Sequence, residues 1–474
     1  MGAILIPKEI REKAKSCFEC GICTASCPMM ELLSTHYNPR SLLQKTLTEP
    51  EKTLGDDSLW LCAWCYKCHK RCPQGLKPPE IFQILKSEAA KRGSLDGFER
   101  AISIMEKDIP LPIVCWYTCF HPERAGIDDK TLVEALQKLT AESMKVSKRE
   151  ICHQQKVAVI GSGPAGLTAA CELAEMGYPV TVFEALPAPG GMLRKSMPSF
   201  RLPKEALENE IKRLEQMGIQ IETNTAIGKD AGFNELLQDD FKAVFVAVGA
   251  HKSRKLEIKG EELEGVLDAL SFLWSVNMEQ NVDLGKKVGV IGGGNVAVDA
   301  SRTALRHGAD EVLILYRRSR EEMPANPWEV KEAEKEGVKI ELLVAPKKIL
   351  EKAGRVGGLE LVKMKLGEQD ETGRRTPVPV EDSEFSLELD TIIVAIGETA
   401  ETTFLPKDVE VDKAGRIIVN PFTMETSLPG VFAGGDTVTG PATIMEAILA
   451  GKKAAYSINR YLATTRKGGA NHGN

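Results

Sequence analysis

The run CFECGICTASCP over residues 17–28 is repeated as CAWCYKCHKRCP over residues 62–73. Both copies follow C-x2-C-x2-C-x3-C-P, a spacing that binds 4Fe-4S clusters, and the last cysteine of each run ordinarily serves the cluster of the other. No other feature constrains the fold as much. Cys17, Cys20, Cys23 and Cys27 of one run and Cys62, Cys65, Cys68 and Cys72 of the other have to meet in one small crossed unit around two clusters. Structural zinc is the competing reading of paired C-x2-C units, but a zinc site takes two pairs per metal and has no use for the extra cysteine step or the following proline. Thiolate ligands need a reducing compartment. Eight of the 12 cysteines fall in these ordered groups rather than being scattered as in a secreted disulfide scaffold.

At 474 residues the chain has room for three or four units, at ~100–200 residues per domain. Its 43% apolar and 27% charged residues are ordinary for a protein with a sizeable core. A net charge of −6 gives no reason to expect nucleic acid or an anionic membrane surface as partner. Residues 1–7 lack the basic start and apolar length of a signal peptide. No stretch approaches the ~18 uninterrupted apolar residues of a membrane span, so the expected location is cytoplasmic.

Residues 1–110 read as short helices joined by cysteine loops, with apolar residues at helical spacing from Leu32 to Leu47 and from Pro79 to Lys91. The Val/Ile/Thr alternation of a strand-built ferredoxin is absent. The stretches GICTASCP, YNPRSLLQ and WLCAWCYKCHKRCP resemble the heterodisulfide reductase C-subunit family over about residues 10–95. That resemblance implies an all-helical ferredoxin. It also implies one cluster on Cys17, Cys20, Cys23 and Cys72 and the other on Cys62, Cys65, Cys68 and Cys27, with Pro28 and Pro73 closing the loops. Residues 111–150 form a helical linker. Its segment from Ile113 to Gly126 resembles the one preceding the flavin domain in the glutamate synthase small subunit family, with Gly126 where a third cysteine would be expected. With eight ligands already supplied, Cys115 and Cys119 read as packed thiols, as do Cys152 and Cys171.

A buried-strand pattern from Val157 to Ile160 leads into Gly161, Gly163, Pro164, Ala165 and Gly166, which open a helix from Pro164 to Met176; a second strand then ends on Glu184. Glycines in this context let the backbone approach a pyrophosphate at a helix N-terminus, and the acid suits unphosphorylated ribose hydroxyls, as in FAD or NAD. A second such unit begins at Lys287. Gly292, Gly294, Asn295 and Val296 follow its strand, and the next strand, Glu311 to Tyr316, ends on Arg317 and Arg318 where the first ended on an acid. A guanidinium is what a 2′-phosphate requires, which points to NADPH; a solvated basic pair at a strand end is the plainer reading.

Further stretches resemble the glutamate synthase small subunit family over residues 150–465. They are the segment with Gly191, Met192 and Arg201, the crossings at Gly249 and Gly397, YRRSREEMPA at 316–325, and PGVFAGGD at 429–436. The resemblance implies FAD between the two chain ends, Asp436 on the ribityl chain, and a helix starting near Ala442 and Thr443 that turns its positive end to the flavin. One departure is residues 194–197 (RKSM), where the family usually has tyrosine and glycine. The helix after the first fingerprint holds Cys171 without a partner four residues on, so no disulfide-reductase pair is present and no catalytic side chain is called for.

The expected fold class is therefore α/β, with two Rossmann-like dinucleotide-binding domains (FAD and NADPH) behind an all-helical 4Fe-4S ferredoxin domain. The expected boundaries are 1–110 ferredoxin, 111–150 linker, 151–285 FAD domain first part, 286–396 NADPH domain, and 397–474 FAD domain second part with a disordered tail from Thr464. The expected function is an oxidoreductase subunit that passes electrons between NADPH, FAD, two 4Fe-4S clusters and a redox partner. That partner would be a heterodisulfide reductase-like subunit, a ferredoxin or a glutamate synthase large subunit, in a hetero-oligomeric complex. The alternatives are the small subunit of a glutamate synthase or a subunit of an electron-bifurcating NADPH:ferredoxin transhydrogenase.

Overall fold

Strands that read as unbroken apolar runs are those buried on both faces of a parallel sheet. Two such sheets appear in the computed structural model, which describes residues 8–238, 241–370 and 373–469. The chain divides into two compact units. One comprises Met1–Gly191, Arg201–Gly249 and Thr402–Asn474, the other Met192–Phe200 and Ala250–Glu401.

In the first unit a five-stranded sheet runs in the order Val431–Ala433, Phe241–Val246, Lys156–Ile160, Val180–Phe183, Gln220–Glu222. All its pairings are parallel, and Val157 to Ile160, Ala243 to Val246 and Val431 to Ala433 are buried. The helices Pro164–Glu175 and Ile444–Gly469 pack together. The helical section belongs to this same unit. The apolar run from Leu32 to Leu47 is not one helix but two, Pro28–Leu32 and Pro39–Thr48. The break lies before Pro39, where α geometry is disfavoured for the preceding residue. Asn38 is extended there and its side chain accepts from the amides of Arg40 and Ser41. The second run fits expectation within a residue, as Pro78–Lys91, with Ile81, Phe82, Leu85 and Ala89 buried.

The linker also belongs to the first unit. It consists of the helix Pro112–Cys115, a π-helical turn Trp116–Phe120 and a helix Asp129–Ser143. Glu210, fully buried in the helix Lys204–Gln216, accepts from the amides of Ile113 (2.9 Å) and Val114 (3.3 Å) and from Arg213 Nε (2.7 Å). Arg213 in turn donates to the carbonyl of Pro110. The final helix continues to Gly469, through the first part of the tail expected to be disordered. Residues 470–474, and the segment 1–7 weighed above as a leader, lie outside the described residues.

The main segment of the second unit runs from Ala250 to Glu401 rather than from 286 to 396, and Met192–Phe200 joins it. The reason is strand pairing: Val266–Asp268 forms the edge of its parallel sheet, ordered Val266–Asp268, Thr391–Val394, Lys287–Ile291, Glu311–Tyr316, Lys339–Leu342. Lys252–Ser253 pairs with Glu398–Thr399 as a short antiparallel ladder. An antiparallel sheet of Val344–Lys352, Arg355–Gln369, Arg375–Pro379 and Phe385–Leu387 is added, which the sequence pattern did not separate from the domain around it. Among the described residues no helix is long and apolar enough to cross a membrane.

Candidate functional site

The two cysteine runs share an unusual backbone. In the first, Glu19 (φ 54°) and Gly21 (φ 78°) flank the second cysteine; in the second, Trp64 (φ 51°) and Tyr66 (φ 57°) stand at the equivalent positions. Left-handed geometry is costly for side chains of this size, and such strain collects at functional sites. Its recurrence at matching positions shows that both loops are held to one shape. The amide of Glu19 donates to Cys17 Sγ at 3.4 Å. One-turn helices, Ile22–Ala25 and Lys67–Lys70, then carry Cys23 and Cys68.

Cys72 lines one hollow with Cys17, Cys20 and Cys23, to which Cys68 and Pro73 also contribute. Cys27, in contrast, sits by the other run. Burial pushes its thiol up to about 12, and the nearness of Cys65 and Cys62 adds to the rise. Cys65 is raised to about 11 by burial, and Cys68 further, by burial and then by Cys62, Cys65 and Cys27. Thiols buried in mutual repulsion are a donor set that ionises when a cationic iron core is supplied. Cys72 thus stands with the first run and Cys27 near Cys62 and Cys65, while Cys68 borders both groups. Among the described residues, no three such side chains approach one point closely enough to chelate a single ion.

The first glycine fingerprint forms a cradle. Gly161 has φ 100°, and a Cβ there would stand 2.5 Å from the carbonyl of Ala247. Gly163 faces open space, while a Cβ on Gly166 would strike the carbonyl of Gly161, so the helix of Pro164 and Ala165 packs directly on the strand end. Gly191 (φ 53°) brings its backbone to Gly163, where a Cβ would lie 2.8 Å from the Cα. Glu184 is buried; it accepts from the Ser162 amide (3.0 Å) and hydroxyl and from the Leu186 amide (2.8 Å). The distant PGVFAGGD segment joins this cradle, because Gly435 (φ 73°) rests against Ala165. Asp436 accepts from the Ala442 amide at 3.2 Å, and burial pushes its carboxyl up to about 6. Thr443 and Glu446 cap each other at the start of the long helix, which begins at Ile444. Gly249 is left-handed at φ 69°. A buried acid beside a glycine cradle and a helix start fits a flavin nucleotide. Arg201, expected at the flavin, bears electrostatically on Cys119 and His121 of the linker.

In the second unit, a Cβ on Gly292 (φ 148°) would meet the Ala395 carbonyl, and one on Gly293 would lie 2.5 Å from the Tyr316 ring. Gly294 is extended, open, and caps the helix Asn295–Arg306, which leaves room for a pyrophosphate at its amino end. Asn295 accepts from the Asn326 amide at 2.9 Å, Val296 is half-buried, and Gly397 is left-handed at φ 115°. Arg317 and Arg318 part company. Arg317 is exposed at the strand end, whereas Arg318 is buried, donating through Nε to the Arg375 carbonyl (2.8 Å) and through Nη2 to Asp370 (2.8 Å). Arg318 therefore ties the strand to the antiparallel sheet. Arg374, which no sequence motif singled out, acts electrostatically on Tyr316 together with both arginines; nothing in the local sequence pointed to it.

At the carboxyl ends of Val266–Asp268 and Thr391–Val394 lies a cavity of about 550 Å³. Lys195, His251, Ser253, Arg254, Asp268 and Ser271 line it. Ligands of open α/β sheets bind outside these strand ends. Burial pushes Lys195 down, against the pull of Asp268, and burial with the Lys195 charge takes His251 to about 4. Lys195 ends the short helix Met192–Lys195, in the stretch that departs from the family pattern; Asn277 Nδ2 donates to the carbonyls of Arg194, Lys195 and Met197 and fixes it.

Comparison with known proteins agrees with this geometry. The family described as pyridine nucleotide-disulphide oxidoreductase matches residues 155–451, and the 4Fe-4S dicluster domain matches residues 13–76. The NADP(+)-dependent formate dehydrogenase subunit beta of Moorella thermoacetica is 41% identical over 83% of this chain, which spans 60% of that relative's length. The glutamate synthase [NADPH] small chain of Escherichia coli is 38% identical over 65% of this chain and 69% of its own. Among solved structures, Mycobacterium tuberculosis FprA in complex with NADPH shares the fold with a TM-score of 0.58 at 19% identity, over 67% of this chain and 86% of that one. The chain belongs to the pyridine nucleotide-disulphide oxidoreductase family, alongside the glutamate synthase small chains, and carries a 4Fe-4S dicluster domain ahead of its flavoprotein fold.

Proposed function

We propose that the chain is an NADPH-dependent FAD and iron–sulfur oxidoreductase subunit with two 4Fe-4S clusters, which exchanges electrons with a partner redox subunit in a hetero-oligomeric complex. The observation that carries this reading is the ion pair between Lys67 and Glu446. Lys67 lies between Cys65 and Cys68, and Glu446 accepts from both the amide (3.1 Å) and hydroxyl (2.8 Å) of Thr443, on the helix turn behind Asp436. Cluster loop and flavin cradle thus share one side-chain contact. Bound NADPH would supply a hydride for the flavin, and clusters on the two cysteine runs would supply one-electron acceptors.

The chain's own residues bind and orient. Glu184, Gly163 and Asp436 would hold the flavin nucleotide, and Gly294 and Arg317 the phosphates of NADPH; Lys195 and Asp268 line the cavity at the strand ends that would take the rest of the nucleotide. Lys67 keeps the second run against the flavin helix, which makes that cluster the entry point. The first run is the exit, since Cys20 is exposed there and Phe18 and Ile22 beside it are 71% and 39% exposed. Relatives named as a beta subunit or a small chain support a partner subunit, and the exposed Cys20 end is where it would dock. An anaerobic NADPH titration followed optically and by spin resonance tests the reading. Flavin bleaching with both clusters reduced is expected, and clusters that stay oxidised under excess NADPH refute it.

A further inference from the structure

The helix Pro78–Lys91 places Lys86 inside the helical section at 1% exposure. A buried ammonium is normally answered by a carboxylate. Among the described residues Lys86 makes no ion pair, and its Nζ instead stands 5.8 Å from the centroid of the Trp60 ring. The groups that bear on its charge are Cys62, Glu123 and Arg124. Glu123 is largely exposed and turned to His121 at 3.1 Å. Arg124 is itself a cation, 5.3 Å from the Trp64 ring. That leaves Cys62, 5% exposed, and the buried Tyr37 lies near the same cysteine. The indole N–H of Trp60, two residues before Cys62, is buried with no acceptor among the described atoms. A buried cation without an ion pair and a buried donor without an acceptor stand side by side at Trp60, two residues before Cys62, as the surroundings of a buried anion would require.

We propose that Lys86 is the internal counter-charge of the cluster held by the second cysteine run, and that together with Tyr37 it raises that cluster's reduction potential. The proposal rests on the two-cluster reading above. An iron–sulfur cube on four thiolates is anionic and becomes more so by one unit on reduction. A fixed positive charge favours the reduced form, and a hydroxyl donated to a ligand sulfur acts in the same direction. One electron enters the cluster, and no bond forms or breaks. The cluster nearest the flavin helix is thereby made the readier acceptor. The cation–π contact with Trp60 holds the ammonium in place without neutralising it.

The test is a redox titration of the full chain under argon, monitored by spin resonance and accompanied by iron counting, on Lys86→Met, Lys86→Arg and Tyr37→Phe. In iron-replete Lys86→Met, one cluster signal, the same one that Cys27→Ser alters, is expected to move to lower potential. The expected shift is at least tenfold in the reduction equilibrium, which is about 59 mV for one electron. Lys86→Arg restores the potential, and Tyr37→Phe moves the same signal the same way by less. An unmoved potential in iron-replete Lys86→Met overturns the proposal. Should that variant lose the cluster, Tyr37→Phe decides: a lowered potential upholds the proposal and an unchanged one overturns it. Wild-type protein without iron is a different result, and removes the two-cluster reading itself.

Discussion

Arg317 and Arg318 are adjacent in sequence but have different neighbours, and replacing each by alanine separates cofactor choice from stability. Arg317 is exposed at the end of Glu311–Tyr316, whereas Arg318 is spent on Asp370 and the Arg375 carbonyl. A hydrogen bond to a charged group contributes about 1.5–3 kcal/mol. At about 1.4 kcal/mol per decade, Arg317→Ala should lower the preference for NADPH over NADH roughly 10- to 100-fold. Arg318→Ala leaves Asp370 without its buried partner. Asp370 retains 27% exposure, so we expect a cost below the 3–5 kcal/mol of a fully buried pair, about 1–3 kcal/mol. The assay is kcat/KM for both nucleotides with an artificial acceptor, alongside thermal unfolding. NADPH preference surviving Arg317→Ala, or lost in Arg318→Ala at unchanged Tm, would falsify the division of roles.

Three further outcomes follow from the same geometry. Cys27→Ser should reduce iron content and remove the spin-resonance signal of the second-run cluster, leaving that of the first, because Cys27 sits with Cys62 and Cys65; loss of only the other signal would contradict the crossed grouping. Glu210→Ala strands buried Arg213 and two linker amides and should cost about 3–5 kcal/mol, read as a lower denaturant midpoint with faster hydrogen exchange at Ile113 and Val114. Burial pushes the Asp436 carboxyl up to about 6, against 3.8 in the free residue. A raised folded value favours the folded state below the unfolded pKa, and that contribution is lost as pH rises through the folded one. Flavin-depleted protein should therefore lose up to about 3 kcal/mol between pH 4 and 7, at 1.36 kcal/mol per unit. Asp436→Asn should flatten that slope, and an unchanged slope would show that another group causes it.

Much of the architecture was legible because its causes are local. Unbroken apolar strands followed by glycines located both parallel sheets, since a Cβ on Gly161 or Gly292 collides with the carbonyl of a neighbouring strand. The helix break before Pro39 was also written locally, in Asn38, which caps the second piece, yet hydrophobic periodicity alone ran across it. The domain edge at Ala250 was not legible, because it depends on Val266–Asp268 choosing the strand Thr391–Val394 as neighbour, far along the chain.

By itself the sequence determined the chemistry: eight cysteines at cluster spacing, two glycine fingerprints, and an acid after one where the other has arginines. Those signals act through the backbone over a few residues, so spacing preserves them. Which arginine is free for a phosphate and which cysteines share a hollow were decided only by tertiary structure. So were the burial of a helical lysine beside Trp60 and the pairing of Lys67 with Glu446 across 379 positions. Burial and electrostatics depend on distance in space, and chain separation carries no record of them.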